Sequence, residues 1–313
     1  MKKFLVKLFA FALCLLLPFV GYFSWIQSKP AAYTGSLMGS VHVKSRLLES
    51  TPGARIIVVG GSSVPYSICC ETVSEAANMP CINLGATAYL GLEYYTALLE
   101  PLVHEGDIIV FAPEFSMFEN VVSYTTAWMA VENDLSLIKA LPLSYYPDMI
   151  QSFYSYSRQK LAMLAQGEMQ SYKEEYESFG FGPWGDLTFE RENILEDKYN
   201  TQDCRAVDAD TLSPRVINAL NHFAKKAQEK GARVCITFAP FNQLAFTGTQ
   251  EGLLAFENKL TESCGTIPVI SSVQDSLMDE NLFFNSNNHL NSEGMTIRTE
   301  KLIDDLRNAG FIQ

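Results

Sequence analysis

Five short apolar runs, rich in β-branched residues, recur along the chain: "RIIVVG" (55–60), "CINL" (81–84), "DIIVFAP" (107–113), "RVCITFAP" (233–240) and "IPVISS" (267–272). Unbroken runs of this length suit strands buried on both faces, because an edge or half-exposed strand alternates apolar with polar residues. Segments of helical spacing separate the runs. Strand and helix in repetition predict a three-layer α/β/α fold around a five-stranded, mostly parallel, flavodoxin-like sheet with right-handed crossovers. In such sheets ligands bind at the carboxyl ends of the strands, so functional residues are expected just after them.

The segment before the fourth run, "SPRVINALNHFAKKAQEKG", carries complete helix punctuation. Ser213 suits the N-cap, Pro214 the first helical position and Gly231 the stop, while Val216, Leu220, Phe223, Ala224 and Ala227 fall on one face. A last helix is expected from near Ser292 toward Asn308, with Gly310 just beyond. Residues 121–212 break the alternation and are too long for a loop, so they read as a helical insertion packed over the sheet edge within one domain spanning 40–313. Its aromatics, among them Tyr172, Tyr176 and Trp184, suit either core packing or stacking on sugar rings.

Lys2, Lys3 and Lys7 precede an uncharged stretch from Leu8 to Ile26, about long enough to cross a bilayer. The following "GYFSWIQSKP" shows no small-residue cleavage site, so residues 1–30 read as an uncleaved single-pass anchor, with a secreted product as the alternative if cleavage occurs. Basic residues on its N-terminal side put the short tail in the cytoplasm and the rest of the chain outside. The chain has a formal net charge of −12, which rules against a nucleic-acid partner. Of the seven cysteines, Cys81 and Cys235 sit in strand-like runs and read as small buried hydrophobes. No C-x-x-C pair or histidine cluster suggests a metal site.

The first run ends in Gly60-Gly61-Ser62-Ser63 and leads straight into a helical pattern. That geometry exposes Ser63 on a turn with its backbone N–H near a helix start, although Gly-Gly-Ser-Ser also serves as an ordinary polar turn. Near the other end, "FFNSNNHLNSEG" places His289 in a loop between the fifth run and the last helix. A serine hydroxyl is a poor nucleophile until a base takes its proton, so Ser63 and His289 at one rim form the combination that acyl transfer requires.

Four ordered blocks, "IIVVGGSSVPYSI", "INLGATAYLGLEYY", "DIIVFAPEF" and "NNHLNSEG", resemble those of SGNH/GDSL-type hydrolases, specifically the membrane-anchored exported branch with Gly-Ser-Ser in the first block. The resemblance covers most of 50–120 and 230–310 and leaves the insertion unmatched. It implies Ser63 as nucleophile, His289 as general base, the N–H groups of Ser63 and Gly85 as oxyanion donors, and no cofactor. Ser62, Gly85 and Glu114 fall where the oxyanion or substrate is held. Two blocks depart from the family pattern. The third carries Glu114 where the family has an asparagine donor, and a carboxylate repels an oxyanion unless protonated or paired. The last lacks the aspartate that orients the histidine, leaving Asn285 as the best match.

Resemblance and anchor together imply an extracytoplasmic serine esterase or O-acyltransferase acting on acyl groups of a cell-surface polysaccharide, with an acylated glycan and the membrane through residues 8–26 as partners. The two departures imply an alternative, a catalytically silent SGNH-like protein that binds glycan or scaffolds envelope assembly. A nucleotide-binding reading of "GGSS" fails for want of both G-x-G-x-x-G and a P-loop lysine.

Overall fold

The computed structural model describes residues 1–132, 134–166 and 180–313. Four of the five apolar runs form β1 (Ile56–Val59), β2 (Cys81–Asn83), β3 (Ile108–Phe111) and β4 (Arg233–Ile236). They build one parallel sheet in the order β2-β1-β3-β4. Successive strand residues point to opposite faces, and two separate cores result. Ile57, Val59, Ile109, Phe111, Val234 and Ile236 enter one, while Ile56, Val58, Ile108, Val110 and Cys235 enter the other. Cys81 and Cys235 are fully buried, as their surroundings predict.

The expected fifth strand does not form. Residues 267–272 make a single parallel bridge, Val269 with Ile236, held by the Ile236 N–H to Pro268 O at 2.9 Å and the Ile270 N–H to Ile236 O at 2.8 Å. Pro268 has no N–H to extend the ladder. Two short ribbons lie outside the sheet, a parallel pair of β5 (Phe241–Asn242) and β6 (Leu277–Met278) and an antiparallel pair of β7 (Phe283–Ser286) and β8 (His289–Leu290).

The helices in chain order are α1 (Lys2–Gln27), α2 (Ser40–Ser50), α3 (Ser63–Ser67), α4 (Cys70–Ala77), α5 (Leu92–Leu99), α6 (Phe115–Phe118), α7 (Tyr124–Val131), α8 (Tyr146–Gln166), α9 (Pro214–Glu229), α10 (Gln250–Ser263) and α11 (Ser292–Asn308). The punctuation of α9 operates as read: Pro214 opens it, Gly231 follows its end at φ +83°, and its five apolar residues lie in the first core. Of these, Val216, Leu220 and Phe223 each contribute about 1.5–3 kcal/mol relative to an exposed side chain. On the opposite face, Leu302, Ile303 and Leu306 of α11 pack with Val73 of α4.

The helix α1 is long and apolar enough to cross a membrane, with a mean hydropathy of 2.4 over its most apolar window. Its last turns dock on the insertion. Phe23 packs against Trp128 of α7 and Phe153 of α8, at ring-centroid distances of 5.9 and 5.2 Å. The Tyr22 and Ser157 hydroxyls meet at 2.6 Å. Below them the buried Glu132 carboxylate accepts the N–H groups of Ala32 and Tyr33 and the Tyr156 hydroxyl, and pairs with Lys160 at 3.1 Å. The helices α7 and α8 of the insertion thus share the first core, while Leu187 packs with Tyr66 and Phe284 in a separate small cluster. Trp184 is partly buried against both cores and does not line the cavity beside Ser62. Tyr172 and Tyr176 lie outside the described residues.

At the amino end of the sheet, Arg55 and Asp107 form a fully buried ion pair, Nη2 to Oδ2 at 2.7 Å and Nε to Oδ1 at 3.1 Å. Further donors and acceptors complete it: Arg55 donates to the carbonyls of Leu48 and Leu102, and Asp107 accepts the N–H of Arg55 and of His104.

Candidate active site

At the carboxyl end of β1 the chain passes through Gly60, Gly61 and Ser62 into α3. Gly61 is required by close approach, since a Cβ there would collide with Glu114 Oε1. Ser62 occupies the N-cap position and lines a cavity of about 410 Å³. Ser63, one residue on, is the first helical residue and fully buried. A single step along a helix rotates the side chain by about 100°. The expectation that Ser63 presents the hydroxyl is therefore corrected: it is Ser62 that faces the cavity.

The His289 ring lies on β8, in the short ribbon rather than in a loop. The Ser286 hydroxyl accepts the His289 N–H at 3.2 Å, and the turn is anchored by buried Asn287, whose side chain bonds the backbone of Asn200 and Asp203. The Nε2 atom of His289 sits 2.9 Å from Ser62 Oγ, and Nδ1 sits 2.7 Å from Asn285 Oδ1. With Asn285 presenting its oxygen, Nδ1 carries the proton and the Nε2 lone pair receives the Ser62 O–H. The ring stacks on Tyr66 of α3 with centroids 4.0 Å apart and an 8° interplanar angle. Burial, and secondarily the Arg191 charge, push the imidazole down to about 3, so it is neutral at ordinary pH.

Glu114 follows β3 and reaches under the same turn. Its Oε1 accepts the Ser63 N–H at 2.9 Å and lies 3.3 Å from Ser62 Oγ. Burial raises its pKa, Asp203 adds to the rise, and the bonds from Ser63 and Ser62 oppose it. The Ser63 N–H is therefore committed to Glu114.

Gly85 departs from its expected role in the same way. Its N–H donates to Asn83 Oδ1 at 3.1 Å, its carbonyl accepts from the Lys44 ammonium, and Val64 and Pro65 pack where a Cβ would stand. It serves the packing of β2 against α3 and does not line the cavity. Lys44 is itself buried, which lowers its pKa to about 7. In the second block it is Thr87, Ala88 and Tyr89 that reach the cavity, joined by Asn200, Asp203, Arg205, Ser286 and Asn288.

Three contributors carried no sequence signal. Arg191, in the unmatched insertion, donates to the carbonyls of Tyr66, Phe189 and Leu290, at 2.9, 3.0 and 2.9 Å. It thereby clamps the helix that follows Ser62 to the strand that bears His289. Tyr66 provides the stacking surface, and Asn83 links β2 to α3 through Nδ2 to Val64 O at 3.1 Å. A lone arginine, tyrosine or asparagine in such stretches looks like any other.

No family model matches the chain, and no curated protein matches it. Among solved structures it is similar to the crystal structure of protein YxiM from Bacillus subtilis, at 12% identity and a TM-score of 0.35. That similarity covers 82% of this chain, which spans 57% of the length of that protein.

Proposed function

We propose that this chain is a membrane-anchored serine hydrolase or acyltransferase of the SGNH type, working outside the cytoplasm on acyl esters of a cell-surface polysaccharide. The observation that carries the reading is the Asn285–His289–Ser62 relay at 2.7 and 2.9 Å, open to a cavity at the carboxyl end of a parallel sheet. Ser62 Oγ attacks the ester carbonyl carbon as His289 Nε2 takes the hydroxyl proton. The C–O bond to the leaving alcohol then breaks, and that oxygen recovers the proton from Nε2. Water or a sugar hydroxyl releases the acyl group from Ser62 by the same steps in reverse.

Supporting the glycan class are the polar rim of Asn200, Gln202, Ser286 and Asn288 and the half-exposed Tyr89 ring at the cavity, which suit sugar hydroxyls and a sugar face. Supporting the extracytoplasmic, single-pass placement are the helix α1 and the lysines ahead of its apolar stretch. We read 267–272 as an incomplete fifth strand of a flavodoxin-like sheet. A silent, glycan-binding relative is the second reading, favoured by the amide of Asn285 standing at His289 Nδ1, where the family pattern has an aspartate, and by the commitment of the Ser63 N–H to Glu114.

A fluorophosphonate probe on the folded, detergent-solubilised chain separates the two. The enzyme reading expects stoichiometric labelling that is lost in Ser62→Ala and kept in Ser63→Ala. Absence of labelling in the folded wild type selects the silent binder.

A further inference from the structure

Resting on the serine-hydrolase reading, we propose that Glu114 acts as a neutral carboxylic acid whose proton is donated in a hydrogen bond to the oxyanion forming on the substrate, so that a side-chain acid takes the place of the two N–H donors expected at Ser63 and Gly85.

The proposal starts from the missing donors. The two N–H groups expected to hold the oxyanion are both taken, that of Ser63 by Glu114 Oε1 and that of Gly85 by Asn83 Oδ1. Glu114 itself lines the cavity within 3.3 Å of the Ser62 hydroxyl and stands where the family pattern places an asparagine amide donor. The chain makes room for it with glycine at position 61. An ionised carboxylate there would repel the developing negative charge, whereas a carboxylic acid is a strong donor.

The single proton of Ser62 points the same way. Two acceptors lie within its reach, His289 Nε2 at 2.9 Å and Glu114 Oε1 at 3.3 Å. Were Glu114 ionised, a charge-assisted bond would draw that proton away from the imidazole and turn the relay off. With Glu114 neutral, Oε1 accepts the Ser63 N–H, the acid proton resides on Oε2, and Ser62 is left to donate to His289. During attack the Ser62 Oγ to carbonyl carbon bond forms, the C=O π pair moves onto oxygen, and the Ser62 proton passes to Nε2. Glu114 keeps its proton throughout and only hydrogen-bonds the new alkoxide.

The surroundings favour the neutral form. No ion pair holds Glu114 among the described residues. Asp203 faces it with like charge and Tyr95 with a neutral phenol, while His289 is uncharged. The Arg205 guanidinium on the far side of the cavity is shared between Glu119 at 2.9 Å and Asp203 at 3.6 Å. A rise in pH that ionises Glu114 therefore removes the donor and diverts the Ser62 proton at once, giving an alkaline fall in rate.

The test uses p-nitrophenyl acetate as acyl donor, fluorophosphonate labelling, and infrared spectra of the full-length protein. Expected for wild type is a kcat/KM profile that falls on the alkaline side, together with a protonated-carboxyl band that Glu114→Gln abolishes. Glu114→Gln, a neutral donor at every pH, keeps about a tenth or more of the wild-type plateau and lacks the alkaline fall, whereas Glu114→Ala loses about a hundredfold or more throughout. The proposal is overturned if folded Glu114→Gln is as inactive as Glu114→Ala, or if the alkaline fall persists in it. Wild type that takes no phosphonate label overturns the serine-hydrolase reading itself, and this assignment with it; a labelled wild type with inert Glu114→Gln overturns this assignment alone.

Discussion

The two ends of the central sheet each bury a carboxylate, and they do so with opposite partners. At the amino end, Asp107 meets Arg55 in a bidentate pair whose remaining valences are filled by backbone groups. At the carboxyl end, Glu114 meets a hydroxyl, a backbone N–H and an uncharged imidazole across the cavity, with no cation bonded to it among the described residues. A buried charge without its counter-charge neutralises instead of remaining ionised. The first arrangement locks strand to strand. On the proposed reading the second leaves a proton on Glu114 whose position responds to charge developing nearby.

Removing one partner at each end should separate the two roles most strongly. Asp107→Ala strands the Arg55 charge in the core and is expected to lower the unfolding free energy by about 3–5 kcal/mol, while the double replacement Arg55→Met with Asp107→Leu recovers most of the loss. Glu114→Gln, which on the proposed reading exchanges one neutral group for another, should cost under about 1 kcal/mol. Chemical denaturation at neutral pH reads both, and equal losses at the two ends would erase the distinction.

Acid pH sharpens the contrast through His289. Its folded-state value, pushed down to about 3, lies below the ordinary 6.5. Between these values the unfolded chain binds a proton that the folded chain refuses, so stability fully present above about 6.5 is lost as the pH falls, at up to about 1.4 kcal/mol per pH unit. His289→Gln should therefore lose stability less steeply than wild type between about pH 6.5 and about pH 4. Parallel urea midpoints for the two proteins would mean that the imidazole is charged in the fold. Glu114 has the opposite sign: its folded value is raised, so its contribution is present below the ordinary carboxyl range and declines as the pH rises through the folded value.

A more modest change is expected in the relay itself. Asn285→Asp supplies the carboxylate that the last block lacks and should stabilise the imidazolium formed during attack. An increase of about tenfold in kcat/KM near neutral pH, equivalent to about 1.4 kcal/mol, is expected together with an upward move of the acid limb. A decrease at every pH would show that the site rejects a second negative charge in addition to Asp203.

Much of the scaffold was legible because it depends on local pattern. The first four strands follow from uninterrupted apolar runs, the bounds of α9 from Pro214 and Gly231 and the end of α11 from Gly310, each acting through backbone geometry at its own position, while the start of α11 at Ser292 is capped by the Asn291 side chain. The apolar α1 was legible for the same reason. His289 was found as the histidine that falls after the fifth run at the expected rim, and Asn285 through the family resemblance, as the best match to the position that orients it. Whether the 267–272 run joins the sheet was not legible, because pairing depends on where β4 ends and on the N–H that Pro268 lacks.

Sequence alone thus determined that a hydroxyl and a carboxyl group follow β1 and β3 at the carboxyl ends of one parallel sheet, because the strand runs and the residues directly after them dictate it. The imidazole, expected at the same rim, reaches it from a separate ribbon. Tertiary structure decided which hydroxyl and which donors. Two serines in tandem are equivalent until a helix turns one outward and the other into the core, and an N–H is a free donor only until a neighbour such as Glu114 or Asn83 accepts it. Those choices rest on angles and distances of single atoms across segments remote in the chain, which a pattern of residue types does not encode.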